Sequence, residues 1–254
     1  MKVVILAGGL GTRLADDAQS PPKPMVQIGT HPILWHIMQH YGVYGHNEFL
    51  ICLGYRGDIV KRYFAEQAQV GTDITVSTAT GEITRHAGPR TDWVVHLVDT
   101  GLSTNTGGRV KRLKQWLDDD DFLLTYGDGV ATVDLERLLA FHRSHDRIAT
   151  VTAVRPPARY GGLLLNGDFV SHFSEKRISE GWINGGFMVL SREILDHIPG
   201  DDTNLELDVL EGLAEQEQLA AYRHEGFWQC MDTPRDVRTL LDLWNGGAPP
   251  WKTW

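Results

Sequence analysis

Cysteine is nearly absent: Cys52 and Cys230 are the only two in 254 residues, far apart and outside any C-x-x-C spacing, which leaves neither a disulfide framework nor a cysteine-based zinc site. There is no run of lysine and arginine either. With 24 basic residues against 33 acidic ones and a formal net charge of -9, a polyanionic backbone would meet no basic surface, so no nucleic-acid partner is expected. Long apolar runs are also missing. The stretch Val3 to Ala7 is too short for a signal-peptide core or a bilayer span, and no later stretch approaches the ~20 apolar residues a span needs. No membrane association is expected, and a reducing cytoplasm suits the cysteine usage. Internal repeats, low-complexity tracts and linkers are not visible. What remains is 42% hydrophobic content over a length suited to one α/β domain.

Short β-branched runs alternate with helical patterns along the first half. Strands are predicted over Val3 to Leu6, Phe49 to Leu53, Trp93 to Val98 and Phe122 to Tyr126, and helices over Ile33 to Tyr44, Ile59 to Glu66, Gly107 to Leu117 and Leu135 to His145. That is the βαβ rhythm of a parallel sheet flanked by helices. From Ala149 the pattern turns strand-rich, with Ala149 to Val154, Gly162 to Leu165, Phe169 to Phe173 and Phe187 to Leu190 divided by turn residues, and reads as an antiparallel elaboration on the same sheet. A last helix is predicted over Pro234 to Trp244, opening on proline and closing before Gly246-Gly247.

The first strand runs into LAGGLGTRL, residues 6 to 14. A dinucleotide fingerprint would need glycine where Leu14 stands, and a Walker loop would need glycine, lysine and Ser or Thr from position 13 on, where Arg13 and Leu14 stand. Both fail. What is left is a glycine-lined strand exit whose bare N–H groups can approach an anion, followed by the Thr12 hydroxyl and the Arg13 guanidinium, so a phosphate is the expected occupant. Shortly after, PPKPM at 21 to 25 places prolines on both sides of Lys23 and stiffens its backbone. That lysine could neutralise a second phosphate, or be a solvated lysine on a proline-rich turn.

LAGGLGTRL and KPM together resemble the signature of the sugar-phosphate nucleotidyltransferases. Further marks follow in order: PILWHIM (32–38), DTGLSTNTGGR (99–109), LTYGDGVA (124–131), INGGF (183–187), GFWQCMDTPRD (226–236) and PWKTW (250–254). The resemblance spans nearly the full chain and is strongest to the branch that uses CTP and glucose 1-phosphate. It implies a single Rossmann-like nucleotidyltransferase domain with a mixed, mostly parallel sheet. Residues 1–130 would form the nucleotide part and 131–233 the sugar-phosphate part, followed by a C-terminal helix and tail over 234–254. It further implies direct in-line attack of a sugar phosphate on the α-phosphorus, with Mg²⁺ as cofactor.

The same resemblance implies roles for individual residues. Leu6, Ala7, Gly8, Gly9, Leu10, Gly11, Thr12 and Arg13 would cradle the nucleotide, with Arg13 and Lys23 on the departing pyrophosphate. Asp128, beside Gly127, and Asp232 would hold Mg²⁺, so that Arg13, Lys23, Asp128 and Asp232 carry catalysis. A hard cation bridging phosphate oxygens needs only one or two protein carboxylates, so the residue chemistry agrees. Taken alone, Asp128 could instead be an Asp-Gly turn, and Asp232 could cap the helix that starts at Pro234. Thr104, Thr106 and Arg109 would face the nucleotide; alternatively Thr106 caps a helix and Arg109 points to solvent. Tyr160, Gly161, Glu175, Lys176, Asn184 and Gly185 would bind the sugar phosphate, where Lys176 could otherwise be a hairpin lysine and Asn184-Gly185 a turn.

Three departures from the family pattern concern the acceptor. Arg177 stands where proline usually follows Glu-Lys, the loop to Asn184 is about one residue short, and Pro21 replaces a usual lysine. They leave open a different phosphorylated acceptor, and a non-catalytic nucleotide-binding subunit is the alternative from another class. Elsewhere, His36/His40 and His142/His145 are read as ordinary helix-face histidines, and Asp118 to Asp121 as a solvated turn. The tail from Pro249 to Trp254 must be covered, either by the chain's own core or by a subunit contact. The family implied forms compact homo-oligomers, with a hexamer as the expected form.

Overall fold

The computed structural model describes residues 1–11, 21–86, 91–156, 162–166, 169–174 and 181–254. Among them, seven strands build the main sheet: β1 (Val3–Leu6), β2 (Glu48–Leu53), β3 (Val94–Asp99), β4 (Phe122–Tyr126), β5 (Ala149–Val154), β6 (Ile183–Leu190) and β7 (Leu219–His224). Their spatial order is β3-β2-β1-β4-β6-β5-β7. Strands β3, β2, β1 and β4 are mutually parallel. β6 runs antiparallel to both β4 and β5, and β7 returns parallel to β5. Helices α1 (Ile33–Val43), α2 (Gly57–Val70), α3 (Thr106–Arg112), α4 (Leu135–Arg143), α5 (Glu211–Glu215) and α6 (Pro234–Asn245) complete the α/β architecture.

The β1 sequence VVIL is buried at every position, as expected of a strand covered on both faces. Its side chains alternate between two cores: Val3 and Ile5 join one with Ile37, Tyr41 and Phe187, whereas Val4 and Leu6 join the other with Val110, Leu124 and Met188. The first core also takes up the C-terminal tail. Trp251 is fully buried and stacks on Phe227 at 5.7 Å, and Trp254 packs edge-on against Trp35 at 5.9 Å. The tail is thus covered by its own chain.

Three predicted elements change. The antiparallel elaboration divides, because β5 and β6 enter the main sheet while Gly162–Asn166 and Phe169–Ser174 pair only with each other as a separate ribbon. β6 also begins at Ile183, four residues earlier than Phe187, so Asn184-Gly185 is strand and not turn. The glycines hide it in the sequence: Gly186 at φ 81° absorbs a register shift against β5 that only a residue without Cβ takes easily. The helix predicted to Leu117 ends as α3 at Arg112 and continues in tighter turns that bury Leu113 and Leu117. β7, an alanine-containing edge strand, had no clear alternation to mark it.

His36 and His40 face the core rather than solvent, and burial pushes both down to about 4. His36 hydrogen-bonds the Ile28 carbonyl at 2.8 Å, and His142 bonds Thr150 at 2.8 Å. Among the described residues no group of three or more His, Cys, Asp or Glu could hold a metal ion. Asp118 pairs with Lys2 at 2.9 Å, consistent with a surface turn. No helix among the described residues is long and apolar enough to cross a membrane.

Candidate active site

Between β1 and β4 the chain changes direction of winding: β1 is followed by β2 on one side, while β4 arrives by a crossover from β3 at the far edge. Open α/β sheets place ligands at such a point, beyond the carboxyl ends of the strands. A cavity of about 400 Å³ lies there. Its floor is Leu6 to Gly9 with Gly11, one wall is Thr104 to Thr106, and the other is Tyr126 to Asp128, with Lys23, Pro24 and Asp232 at the mouth.

Arg109 shapes the first wall. It comes from α3, whose start is capped by the Asn105 side chain accepting from the Thr106 N–H at 2.9 Å. The residue is only 5% exposed, and its guanidinium donates to carbonyls of Leu53 (3.0 Å), Gly101 (2.8 Å) and Gly8 (3.1 Å) and to the Thr100 hydroxyl (2.8 Å). It thereby ties the loop after β1 to the ends of β2 and β3. A Cβ on Gly8 would lie 2.2 Å from Arg109 Nη1, so this glycine is required by close approach of the arginine. Arg109 therefore lines the cavity but spends its donors on backbone and the Thr100 hydroxyl, and it does not point to solvent.

At the mouth, Lys23 Nζ lies 2.5 Å from Asp128 Oδ2 and 2.5 Å from Asp232 Oδ1. Burial alone would lower the lysine pKa, but the two carboxylates outweigh it and hold the ammonium charged, above its ordinary value. Asp128 is placed by the turn from β4 into the short ribbon strand Gly129–Ala131, which pairs with Trp228–Cys230. Asp232 follows that partner strand. It does not cap α6: Thr233 does, in a reciprocal capping box with Asp236, whose N–H bonds Thr233 Oγ1 at 3.3 Å. The neighbouring Cys230 thiol is pushed up to about 12 by burial and by the carboxylates around it, and stays protonated.

The second wall holds a network that no motif announced. The Tyr126 hydroxyl donates to Glu206 Oε1, and Thr106 Oγ1 donates to Glu206 Oε2 at 2.8 Å. Thr106 in turn accepts from the Leu205 N–H at 2.8 Å, so it is not the cap of α3. Burial, and then Glu206, raise the Tyr126 pKa and keep the phenol neutral. Asn184 Nδ2 stands 3.5 Å from the Tyr126 oxygen, and the Gly185 carbonyl accepts from the Trp228 indole at 2.8 Å.

The cavity thus collects Leu6, Ala7, Gly8, Gly9, Gly11, Lys23, Thr104, Thr106, Arg109, Gly127, Asp128 and Asp232 from the sequence-based expectation. Leu10, 55% exposed, is not part of its lining. Thr12, Arg13, Tyr160, Gly161, Glu175, Lys176 and Arg177 lie outside the described residues. Glu206 and Tyr126 were missed. Tyr126 sits inside the quoted LTYGDGVA, but NLELDVL around Glu206 carries no pattern that would mark it.

Residues 2–245 match the family model described as nucleotidyl transferase. A glucose-1-phosphate cytidylyltransferase from Salmonella typhimurium is 48% identical over 256 aligned positions, covering 100% of both chains. The relative of the same name from Salmonella typhi matches equally, at 48% over 100% of both. Among solved structures, that of HddC from Yersinia pseudotuberculosis superposes with a TM-score of 0.67 at 24% identity, covering 96% of this chain and 99% of that one, which supports the fold. With the family model spanning nearly the whole chain and full-length relatives at this identity, the chain belongs to the nucleotidyl transferase family.

Proposed function

We propose that the protein transfers the cytidylyl group of CTP to glucose 1-phosphate, giving CDP-glucose and pyrophosphate. The observation that carries the reaction type is the convergence of Asp128 and Asp232 on Lys23, 2.5 Å from each, at the mouth of a glycine-lined cavity. The choice of CTP and glucose 1-phosphate is supported by 48% identity over the full length to a relative named for that reaction. A phosphate oxygen of the sugar attacks the α-phosphorus, the bond to the bridging oxygen breaks, and pyrophosphate leaves in line. No covalent enzyme intermediate is needed, so the protein's work is positioning and neutralising charge. The backbone N–H groups of Gly8 to Gly11 are the anion donors, and Lys23 supplies a mobile positive charge for the departing phosphates.

Nucleotidyl transferases use a divalent cation, and Mg²⁺ is the one proposed here. The donor set fits: two hard carboxylates already converge on one cationic atom, and Mg²⁺ takes one or two carboxylates with waters and phosphate oxygens for the rest. Bound there, it would neutralise charge building on the phosphates. Thr12, Arg13, Tyr160, Gly161, Glu175, Lys176, Asn184 and Gly185 keep the roles the family resemblance implies, and so does the division at about residues 130 and 233. A cytoplasmic homo-oligomer, as a hexamer, is also proposed. Ile74, Val76 and Ile83 of the ribbon Ile74–Val76/Ile83–Arg85, and Val70 and Val94, are exposed apolar side chains that association would cover.

The test is pyrophosphate release from purified protein with Mg²⁺, crossing five nucleoside triphosphates with a panel of phosphorylated sugars. CTP with glucose 1-phosphate is expected to exceed every other pair. CTP with another acceptor would move the error to the sugar pocket, and CTP binding without turnover on any acceptor would favour a regulatory subunit.

A further inference from the structure

We propose that Glu206 is a positioning residue that fixes the Tyr126 hydroxyl as a hydrogen-bond acceptor, so that Tyr126 and Asn184 together bind one hydroxyl of the acceptor sugar. The inference rests on the sugar-phosphate transfer proposed above and names a specificity device within the same site.

A carboxylate only accepts. Both Glu206 oxygens are engaged by hydroxyls, one by Tyr126 and one by Thr106 at 2.8 Å, so both hydroxyl protons point at Glu206. Thr106 is fixed twice, because its oxygen also accepts from the Leu205 N–H at 2.8 Å. With its proton committed, Tyr126 presents only lone pairs elsewhere. Asn184 has the complementary polarity. Its Oδ1 accepts from the Gly186 N–H at 2.9 Å, which sets the amide orientation and turns Nδ2 toward Tyr126 at 3.5 Å. That separation is long for a direct hydrogen bond.

A fixed donor beside a fixed acceptor is the complement of an alcohol, which accepts from one and donates to the other. Tyr126 lines the cavity, and Asn184 stands 3.5 Å from its hydroxyl on the side of the sheet away from the glycine loop. β6, which carries Asn184, flanks β4 on the side opposite β1 and its glycine loop. Tyr126 packs against β6 closely enough that a Cβ on Gly186 would be 2.5 Å from its ring. Tyr126 also lies two residues from Asp128, so a sugar hydroxyl held there stays near the reacting phosphates.

The experiment is steady-state kinetics of the full chain with CTP, Mg²⁺ and glucose 1-phosphate, then with a series of monodeoxy glucose 1-phosphates. Wild type, Glu206→Gln and Tyr126→Phe are compared. In Glu206→Gln the amide must donate to one of the hydroxyls, which reverses its polarity. The KM for the sugar phosphate is expected to rise about ten- to a hundredfold, as for loss of a hydrogen bond in a charged network, with a much smaller rise in the KM for CTP, which Glu206 reaches only through Thr106. One deoxy analogue should cost wild type at least about tenfold and cost either variant little more, because the partner of that hydroxyl is already lost. A deoxy penalty that is the same in wild type and Tyr126→Phe would overturn the proposal, as would equal rises in both KM values. If Glu206→Gln fails to fold, Tyr126→Phe carries the deoxy comparison alone. Absence of wild-type turnover on CTP and glucose 1-phosphate is seen before any variant is made and would refute the parent reading instead. Should wild type prefer another sugar phosphate, the deoxy series of that sugar distinguishes the same two outcomes.

Discussion

The two walls of the cavity are each held by one charged side chain, but they hold different things. On one wall Arg109 donates to the carbonyls of Gly8 and Gly101 in two loops, to that of Leu53 at the end of β2, and to the Thr100 hydroxyl. Glu206 receives the hydroxyl of Tyr126 from the other wall and that of Thr106 from the first. Arg109 fixes backbone, which every nucleotide would meet in the same way. Glu206 fixes the direction of protons, which one particular hydroxyl pattern would read. The contrast predicts that damage to the first wall is seen in stability and in all substrates, whereas damage to the second is seen in choice of acceptor.

The largest expected effect lies where the walls meet. Asp232→Asn should lower kcat by more than about 100-fold, beyond what loss of a residue behind a metal ligand costs, and leave the melting temperature unchanged because Thr233 and Asp236 cap α6 without it. Turnover near wild type would show that Asp232 serves neither cation nor phosphate, and the walls would then lack a shared chemical centre.

Arg109→Lys comes next. A single ammonium cannot span the acceptors of a guanidinium fork, and buried carbonyls are left unpaired. We expect a loss of about 3 kcal/mol, hence roughly 6–12 °C in melting temperature, with weaker binding of every nucleotide. A selective loss of one nucleotide at full stability would reverse the contrast and make Arg109 a reader.

Acid should also separate the two halves. His36, His40 and His46 lie on α1 or just after it, and burial pushes each down to about 4. Their folded-state pKa values lie below the unfolded value of ~6.5, so the unfolded chain binds more protons as pH falls from about 6.5 to 4, and the fold loses stability across that window. His142 is held down by burial too, but Asp121 at 3.6 Å opposes the shift. Urea unfolding at pH 7.5 and 5.0 should show a loss of up to about 2 kcal/mol per histidine. Hydrogen exchange should place it first around α1, and uniform exchange would deny the difference. Smallest is Asp236→Ala, which removes half of the α6 capping box and should cost about 1 kcal/mol by thermal melting without changing acceptor choice.

How far each wall could be foreseen follows the same division. The loop at Gly8 and Gly9, Lys23 and Asp128 stand in short contiguous stretches beside strand ends, and glycine, proline and Asp-Gly punctuation is a local property of the chain. Arg109 was visible, but its direction was not, since a guanidinium in the second turn of a helix can face either way. Glu206 was invisible because its function depends on two hydroxyls 80 and 100 residues away. β6 was shortened in prediction because glycines break alternation whether they mark a turn or a bulge.

By itself the sequence determined the parallel β1–β4 frame, the glycine loop at its centre and the residue types proposed to meet phosphate, because alternation, helical period and turn chemistry act over a few residues. Only the tertiary structure decided that Arg109 stitches loops, that Thr233 rather than Asp232 caps α6, and that Glu206 orients Tyr126. Those outcomes are set by which acceptors a folded chain brings within hydrogen-bonding distance, and no local pattern carries that information.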